Sequence, residues 1–147
     1  MNIQLKLDTS AFDRFAKQFP VVVVKEINDA IQKSAYKIES EAKREAPANS
    51  GKLRQLITTS LSFLKGVVSA NATYSIYVHE GTRAHIIVPV RKKALADRRK
   101  GIIFGKRVNH PGTKANRFMI RAVKNSKETI QNCFNKALEN TIRQAIR

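Results

Sequence analysis

A cluster of helix-breaking residues near the end of the first third of the chain limits the folds open to it. Residues 46–51 read Ala-Pro-Ala-Asn-Ser-Gly and so contain both a proline and a glycine. Proline disfavours helical geometry at the residue before it, and glycine readily adopts the positive φ of a tight turn. The chain therefore changes direction here, and the segments on either side form different elements.

The segment before this cluster has a mainly helical period. Residues 3–7 alternate apolar and polar as in a half-buried strand, and residues 8–10 (Asp-Thr-Ser) supply helix N-cap chemistry. Pro20 interrupts or restarts the helix that follows, and valines 21–24 fit a helix beginning at this proline better than a strand. We expect that helix to end near Glu45. Its apolar face consists of Phe12, Phe15, Phe19, Ile27, Ile31, Ile38 and Ala42.

The segment after the cluster favours strands. Residues 53–64 are rich in Ile, Thr, Leu and Phe and predict a strand. Lys65-Gly66 predicts a turn, and residues 67–70 predict the second arm of a hairpin. Residues 74–78 fit either a short strand or a single helical turn. Further strands are predicted at residues 85–90 and 102–104.

Helical spacing returns from about Lys114 and predicts a C-terminal helix that packs across the sheet beside the first helix. The 147 residues, of which 42% are hydrophobic, are about one domain long. We therefore predict a single α+β domain over residues 1–147, with a small antiparallel β-sheet packed against a long N-terminal helix and a C-terminal helix. Neither a membrane span nor a secretory signal is predicted.

The positive charge of the chain is concentrated in one segment. The formal net charge is +17, yet residues 8–45 hold seven basic and seven acidic residues. Residues 83–121, in contrast, hold one acidic residue, Asp97, and twelve basic ones. Such a segment implies an anionic partner, and we predict a mobile basic loop around 91–114 that orders on assembly. The basic residues are Arg83, Arg91, Lys92, Lys93, Arg98, Arg99, Lys100, Lys106, Arg107, Lys114, Arg117 and Arg121, of which the first eleven are predicted to face a partner or DNA.

Catalytic, metal and cofactor motifs are not recognisable in the sequence. Residues 101–107 differ from a phosphate-binding loop, because their glycines are one residue too close and Arg107 replaces the Ser or Thr that would bind magnesium. The three histidines and the single Cys133 have no acidic or thiol companions at ligand spacing, so structural hydrogen bonds are expected of the histidines. We predict no catalytic residue, no metal and no cofactor. If the chain contacts nucleic acid, we expect contact with the phosphate backbone alone.

Three spaced motifs stand out in the middle of the chain. Residues 42–54 (Ala-Lys-Arg-Glu-Ala-Pro-Ala-Asn-Ser-Gly-Lys-Leu-Arg) comprise a helix end, a turn and Leu-Arg. Residues 74–82 (Tyr-Ser-Ile-Tyr-Val-His-Glu-Gly-Thr) and residues 85–118, with His-Pro-Gly and a final Phe, form the second and third motifs. In this order and spacing, the motifs resemble those of the tail-completion, or neck, family of long-tailed bacteriophages, whose members are tail components at the head-to-tail junction. The motif positions are Pro47, Gly51, Tyr74, Tyr77, Glu80, Gly81, Thr82, His110, Pro111 and Gly112.

Physical readings of these positions accompany the resemblance. Gly51, Gly81 and Gly112 are predicted to adopt positive φ in turns. Tyr74 and Tyr77, if helical, share a face, and core packing is favoured over interface anchoring.

The resemblance implies a structural, non-enzymatic virion protein that completes the tail and joins it to the head connector through a ring of subunits. The implied partners are further copies of the chain, although it can be monomeric in solution, together with the head connector or adaptor and the tail terminator or tail tube. Assembly would take place in the bacterial cytoplasm, without a membrane. The alternative is a sequence-independent nucleic-acid-binding module that acts through its basic loop.

Overall fold

The computed structural model describes residues 3–6, 21–49, 51–90, 94–97 and 101–145. These form two compact units, one from the described residues within 1–76 and 117–147 and the other from the described residues within 77–116. The first, the helical unit, contains β1 (Ile3–Lys6), α1 (Val21–Glu45), α2 (Lys52–Gln55), β2 (Ile57–Ser62), β3 (Lys65–Ala70) and α4 (Phe118–Ala145). The second, the ribbon unit, contains β4 (His85–Ile87), β5 (Leu95–Asp97), β6 (Ile102–Gly105) and β7 (Val108–His110), and helix α3 (Ser75–Glu80) leads into it.

Helix α1 is the centre of the helical unit. Its apolar face recurs at three and four residues, and Val23, Ile27, Ile31 and Ile38 on this face are buried. Valines 21–24 are helical, as predicted, and the helix ends at Glu45 just before Pro47. The predicted cap at residues 8–10 and the phenylalanine face of residues 12–19 lie outside the described residues.

The sheet of the helical unit is antiparallel, with strand order β1-β3-β2. Strands β2 and β3 form the predicted hairpin, and β1 pairs with the other edge of β3. The prediction of a strand from residue 53 was wrong at its start, because Lys52–Gln55 form one helical turn. Leu53 is buried on this turn, so its side chain packs into the core from a helix and not from a strand.

The sequence predicted the hairpin turn at Lys65-Gly66, but the turn lies two residues earlier in the chain. Ser62 pairs with Lys65, so Phe63 and Leu64 form the turn, and Lys65 begins β3. Leu64 has a positive φ of 51°, a conformation that costs a non-glycine residue about 1–2 kcal/mol. Its side chain is buried in a cluster with α1 residues, and burying a leucine contributes about 1.5–3 kcal/mol. Burial therefore offsets the backbone cost and fixes the turn.

Helix α4 packs mainly along α1, and α1 in turn lies against β2 and β3. Phe134 of α4 packs against the same buried cluster of α1 that receives Leu64, while Phe118 and Met119 at the start of α4 are buried. The predicted α+β class, with a small antiparallel sheet and two long helices, is confirmed.

An ion pair connects the end of α1 to the start of α4. Arg121 Nε lies 2.7 Å from Glu45 Oε2, and Asn125 Nδ2 donates to Glu45 Oε1 at 3.2 Å. The hydrogen bond from Arg121, which outweighs the partial desolvation of the carboxyl group, lowers the pKa of Glu45 below its ordinary value of 4.5. Burial is the largest single influence on Glu39 and tends to raise its pKa, but the hydrogen bonds from Lys43 and Thr59 and the charge of Lys43 together outweigh it, so this pKa is lowered as well.

The ribbon unit consists of two antiparallel strand pairs, β4–β7 and β5–β6. In the sequence, β5 and β6 both lie between β4 and β7. Strands β5 and β7 fall where the sequence predicted only a basic loop, because their short apolar stretches, such as Leu95-Ala96, are too brief to stand out. The predicted strand at residues 85–90 is shorter than expected and ends at Ile87. Mobility of residues 91–114 and a single-domain organisation remain predictions.

Candidate functional site

The first sequence motif, residues 42–54, stabilises the fold. Ala42 and Ala46 are buried, and Gly51 has the predicted positive φ of 70°. Arg54 donates from Nε to the Ala46 carbonyl at 2.9 Å and from Nη2 to the Arg44 carbonyl at 3.3 Å. These carbonyls lie at the end of α1, where helical partners are missing. The motif therefore caps a helix, and Pro47 and Gly51 lie in the segment that follows it.

The second motif forms α3 and its C-terminal end. Ser75 and His79, four residues apart, are buried, whereas Tyr77 is 60% exposed and Tyr74 is 37% exposed. Core packing of the two tyrosines, which the sequence favoured, is therefore wrong. Polar residues occupy the buried positions because they are hydrogen-bonded. Ser75 Oγ donates to the Ala70 carbonyl at 2.9 Å, and His79 Nδ1 lies 2.7 Å from Oε1 of the exposed Glu80.

A backbone bridge joins the second motif to the third. Thr82 and Thr113 exchange two backbone hydrogen bonds of 3.0 Å each, and their hydroxyl oxygens lie 2.7 Å apart. A glycine precedes each threonine, and both glycines have positive φ, 77° at Gly81 and 91° at Gly112. A Cβ on either would lie 2.4 Å from the carbonyl oxygen of the opposite threonine. We call this paired arrangement of residues 81–82 and 112–113 the Gly-Thr bridge. It holds together the two ends of the ribbon unit.

Two histidines face each other beside the Gly-Thr bridge. His85 pairs with His110 across β4 and β7, and their ring centroids lie 5.0 Å apart. His85 Nδ1 lies 2.9 Å from the Arg83 carbonyl, which can only accept, so this nitrogen carries the hydrogen. His110 Nδ1 accepts from the Gly112 amide at 3.1 Å, so its neutral ring carries the hydrogen on Nε2. In His110, Nδ1 therefore accepts a hydrogen bond from the Gly112 amide, and the hydrogen on Nε2 can be donated to another group.

The histidine pair lines an open groove of the ribbon unit, about 690 Å³ in volume. Tyr77 from α3, Arg83 from the loop before β4, and Ile87 from β4 also line it. Most of the lining is apolar, and no acidic side chain contributes to it within the part of the chain that the structure describes. We call it the ribbon groove, defined by Tyr77, Arg83, His85, Ile87, His110 and Thr113.

The structure describes only part of the predicted basic set. Arg83, Lys106, Arg107 and Lys114 are exposed in the ribbon unit, and Arg117 is exposed in the helical unit with φ of 49°. The other predicted residues, Arg91, Lys92, Lys93, Arg98, Arg99 and Lys100, lie outside the described residues. Pro111 is exposed in the link between β7 and Gly112.

Sequence reasoning missed the exposed apolar surface of β6. Successive strand residues point to opposite faces, yet Ile102, Ile103 and Phe104 are all exposed, Ile103 by 76%. The β5–β6 pair therefore presents apolar side chains on both faces. Three successive apolar residues in a short strand were the available signal, because a strand with one solvated face alternates.

Comparison with known proteins supplies a family for the N-terminal half. Residues 10–81 match the model of a family described as "Bacteriophage HK97-gp10, putative tail-component". This segment belongs to the HK97-gp10-like family. The match confirms the family that the sequence motifs resemble, and with it the role of a phage tail component. Comparisons with curated proteins and with solved structures gave no match.

The HK97-gp10-like segment includes α1, the helix-capping motif and α3, and it ends at Gly81. The histidine pair, β4 to β7 and helix α4 follow it in the chain. Over the described residues, no group of three metal-ligating side chains occurs and no helix has the length and hydropathy of a membrane span.

Proposed function

We propose that this chain is a structural virion subunit of the head-to-tail junction, where a ring of copies completes the tail and joins it to the head connector. It acts by binding, without catalysing a reaction. Membership of a tail-component family supports the virion role. The observation that carries the docking role is the β5–β6 pair, whose apolar side chains are solvated on both faces.

An isolated two-stranded ribbon is marginally stable in water, and exposed apolar patches of this kind mark interaction sites. Fully burying one isoleucine or phenylalanine contributes about 1.5–3 kcal/mol. A ring repeats each such contact in every subunit, so a modest energy per ribbon becomes substantial for the whole junction. The basic residues that flank the ribbon favour binding to an acidic protein surface, and the opposite charges orient the two proteins as they dock.

Docking is favoured over lining a passage for DNA. A lumen lined with arginines would bind phosphate and slow the movement of DNA, whereas charge-complementary docking speeds assembly. The alternative, a nucleic-acid-binding module, is supported by the charge of residues 83–121. Duplex binding that is nanomolar and falls steeply with salt, measured by mobility shift, would favour this alternative.

The test uses a phage that lacks this chain and is complemented with variants from a plasmid. Ile103→Asp places a charge on the exposed apolar ribbon, and we expect separate heads and tails in electron micrographs. Ile142→Asp, at a position 58% exposed on α4, is the matched control and should leave joining intact. Normal joining with Ile103→Asp would refute the docking role of the ribbon.

A second variant tests the charge. Replacing Arg98, Arg99 and Lys100 with glutamate should leave the chain folded, as judged by circular dichroism, but prevent joining. Particles that join at the normal frequency would show that charge in this segment is dispensable.

A further inference from the structure

The ribbon groove combines apolar walls with donors for an anionic group. Tyr77 and Ile87 contribute apolar surface, while Arg83 supplies a permanent cation. The ring of His110 adds a donor, because its Nδ1 is occupied by the Gly112 amide and its neutral form carries hydrogen on Nε2. A ligand that satisfies both parts must carry carboxylate and apolar groups side by side.

The sheet that lines the groove also offers edges for an extended segment. Within the described residues β4 and β7 form a two-stranded sheet, so each strand has one edge without a neighbouring strand. An extended peptide can pair with such an edge and place alternate side chains toward the sheet face.

We propose that the ribbon groove binds an extended segment of another virion protein in which acidic and apolar residues alternate. The carboxylates would contact Arg83 and His110, and the apolar side chains would fill the groove between Tyr77 and Ile87. This inference rests on the proposed function and specifies the chemistry of one partner.

Charge identifies a different protein as the occupant in preference to a second copy of this chain. The chain has 28 basic and 11 acidic residues, so a second copy would bring further positive charge to a groove that already contains Arg83. The phosphates of a nucleic acid could pair with Arg83, but the sugar-phosphate backbone of a duplex would leave Tyr77 and Ile87 without apolar partners.

The probes are three end-blocked octapeptides of alternating composition, namely glutamate with leucine, glutamine with leucine, and glutamate with serine. Binding to the full chain is followed by two-dimensional amide NMR. We expect the glutamate–leucine peptide to shift the amides of Thr82, Arg83, His85 and His110. The other two peptides should bind at least about fivefold more weakly, because the glutamine–leucine peptide lacks carboxylates and the glutamate–serine peptide lacks apolar side chains.

Protein variants then locate the contact. Arg83→Gln should weaken the glutamate–leucine peptide at least about fivefold, and Arg83→Lys should restore part of the loss. Lys136→Gln, which removes an exposed cation from α4, is the matched control and should change the affinity less than about twofold.

Three outcomes would overturn the inference. One is that the glutamate–leucine peptide shifts no groove amide at millimolar concentration, and a second is that the serine peptide binds equally well. The third is that a 20-base-pair duplex shifts the groove amides while the peptide does not. If any of these occurs while Ile103→Asp still prevents joining, the groove assignment fails and the proposed function stands.

Discussion

Replacing Gly112 with alanine tests the Gly-Thr bridge directly. The alanine must adopt a φ near 91°, which costs about 1–2 kcal/mol for an L-residue. Its Cβ would also lie 2.4 Å from the Thr82 carbonyl oxygen, closer than atoms can approach, so the strands must separate. Separation breaks the two backbone hydrogen bonds between Thr82 and Thr113, each of which contributes about 0.5–1.5 kcal/mol to stability. We therefore expect a local loss of about 2–5 kcal/mol.

Native-state hydrogen exchange measures this loss at the two bridge amides, Thr82 and Thr113. Each 1.4 kcal/mol corresponds to a tenfold change in the opening equilibrium, so Gly112→Ala should accelerate their exchange at least about tenfold. Gly101→Ala is the matched control, because Gly101 also has a positive φ of 65° but a Cβ there meets nothing within 4 Å. It should leave both rates unchanged. Rates within about twofold of wild type in Gly112→Ala would refute the argument that close approach requires this glycine.

Three further predictions concern the helical unit. Ile27→Ala in the buried cluster should lower the free energy of unfolding in urea by about 2–5 kcal/mol, while the exposed Ile142→Ala should change it by less than about 0.5 kcal/mol. Leu64→Gly should destabilise the chain despite relieving the positive φ, because the lost burial exceeds the strain; a more stable variant would contradict this account. The lowered pKa of Glu45 stabilises the fold above pH 4.5, and this contribution disappears as the pH falls through the folded-state value. The difference in Tm between wild type and Arg121→Gln should therefore shrink below about pH 4.5, and a constant difference would show that Arg121 acts through packing.

Several elements followed from local sequence patterns. The helical period of residues 27–42, Pro47 and the glycine at position 51 act within a few residues of each other, so the end of α1 and the turn after it were predictable. The positive φ at Gly81 and Gly112 was predicted for the same reason. What these glycines approach was not predictable, since each opposes a threonine carbonyl 32 or 30 residues away in the chain.

The candidate site was predictable in part. The sequence located the basic segment and the motif residues Gly81, Thr82 and Gly112, but assigned Tyr77 to the core. The ribbon groove depends on pairing between β4 and β7, whose partners are 21 to 25 residues apart. Such pairing leaves no local periodic signal, so the meeting of His85 with His110 emerged only from the fold.

By itself, the sequence determined where helices and strands divide and where positive charge accumulates, because helix breakers, periodicity and charge are properties of neighbouring residues. Tertiary structure alone decided that Leu64 occupies a turn and that two Gly-Thr pairs meet. Those choices depend on free energy gained between distant residues, namely burial against α1 for Leu64 and backbone hydrogen bonds between Thr82 and Thr113 for the bridge.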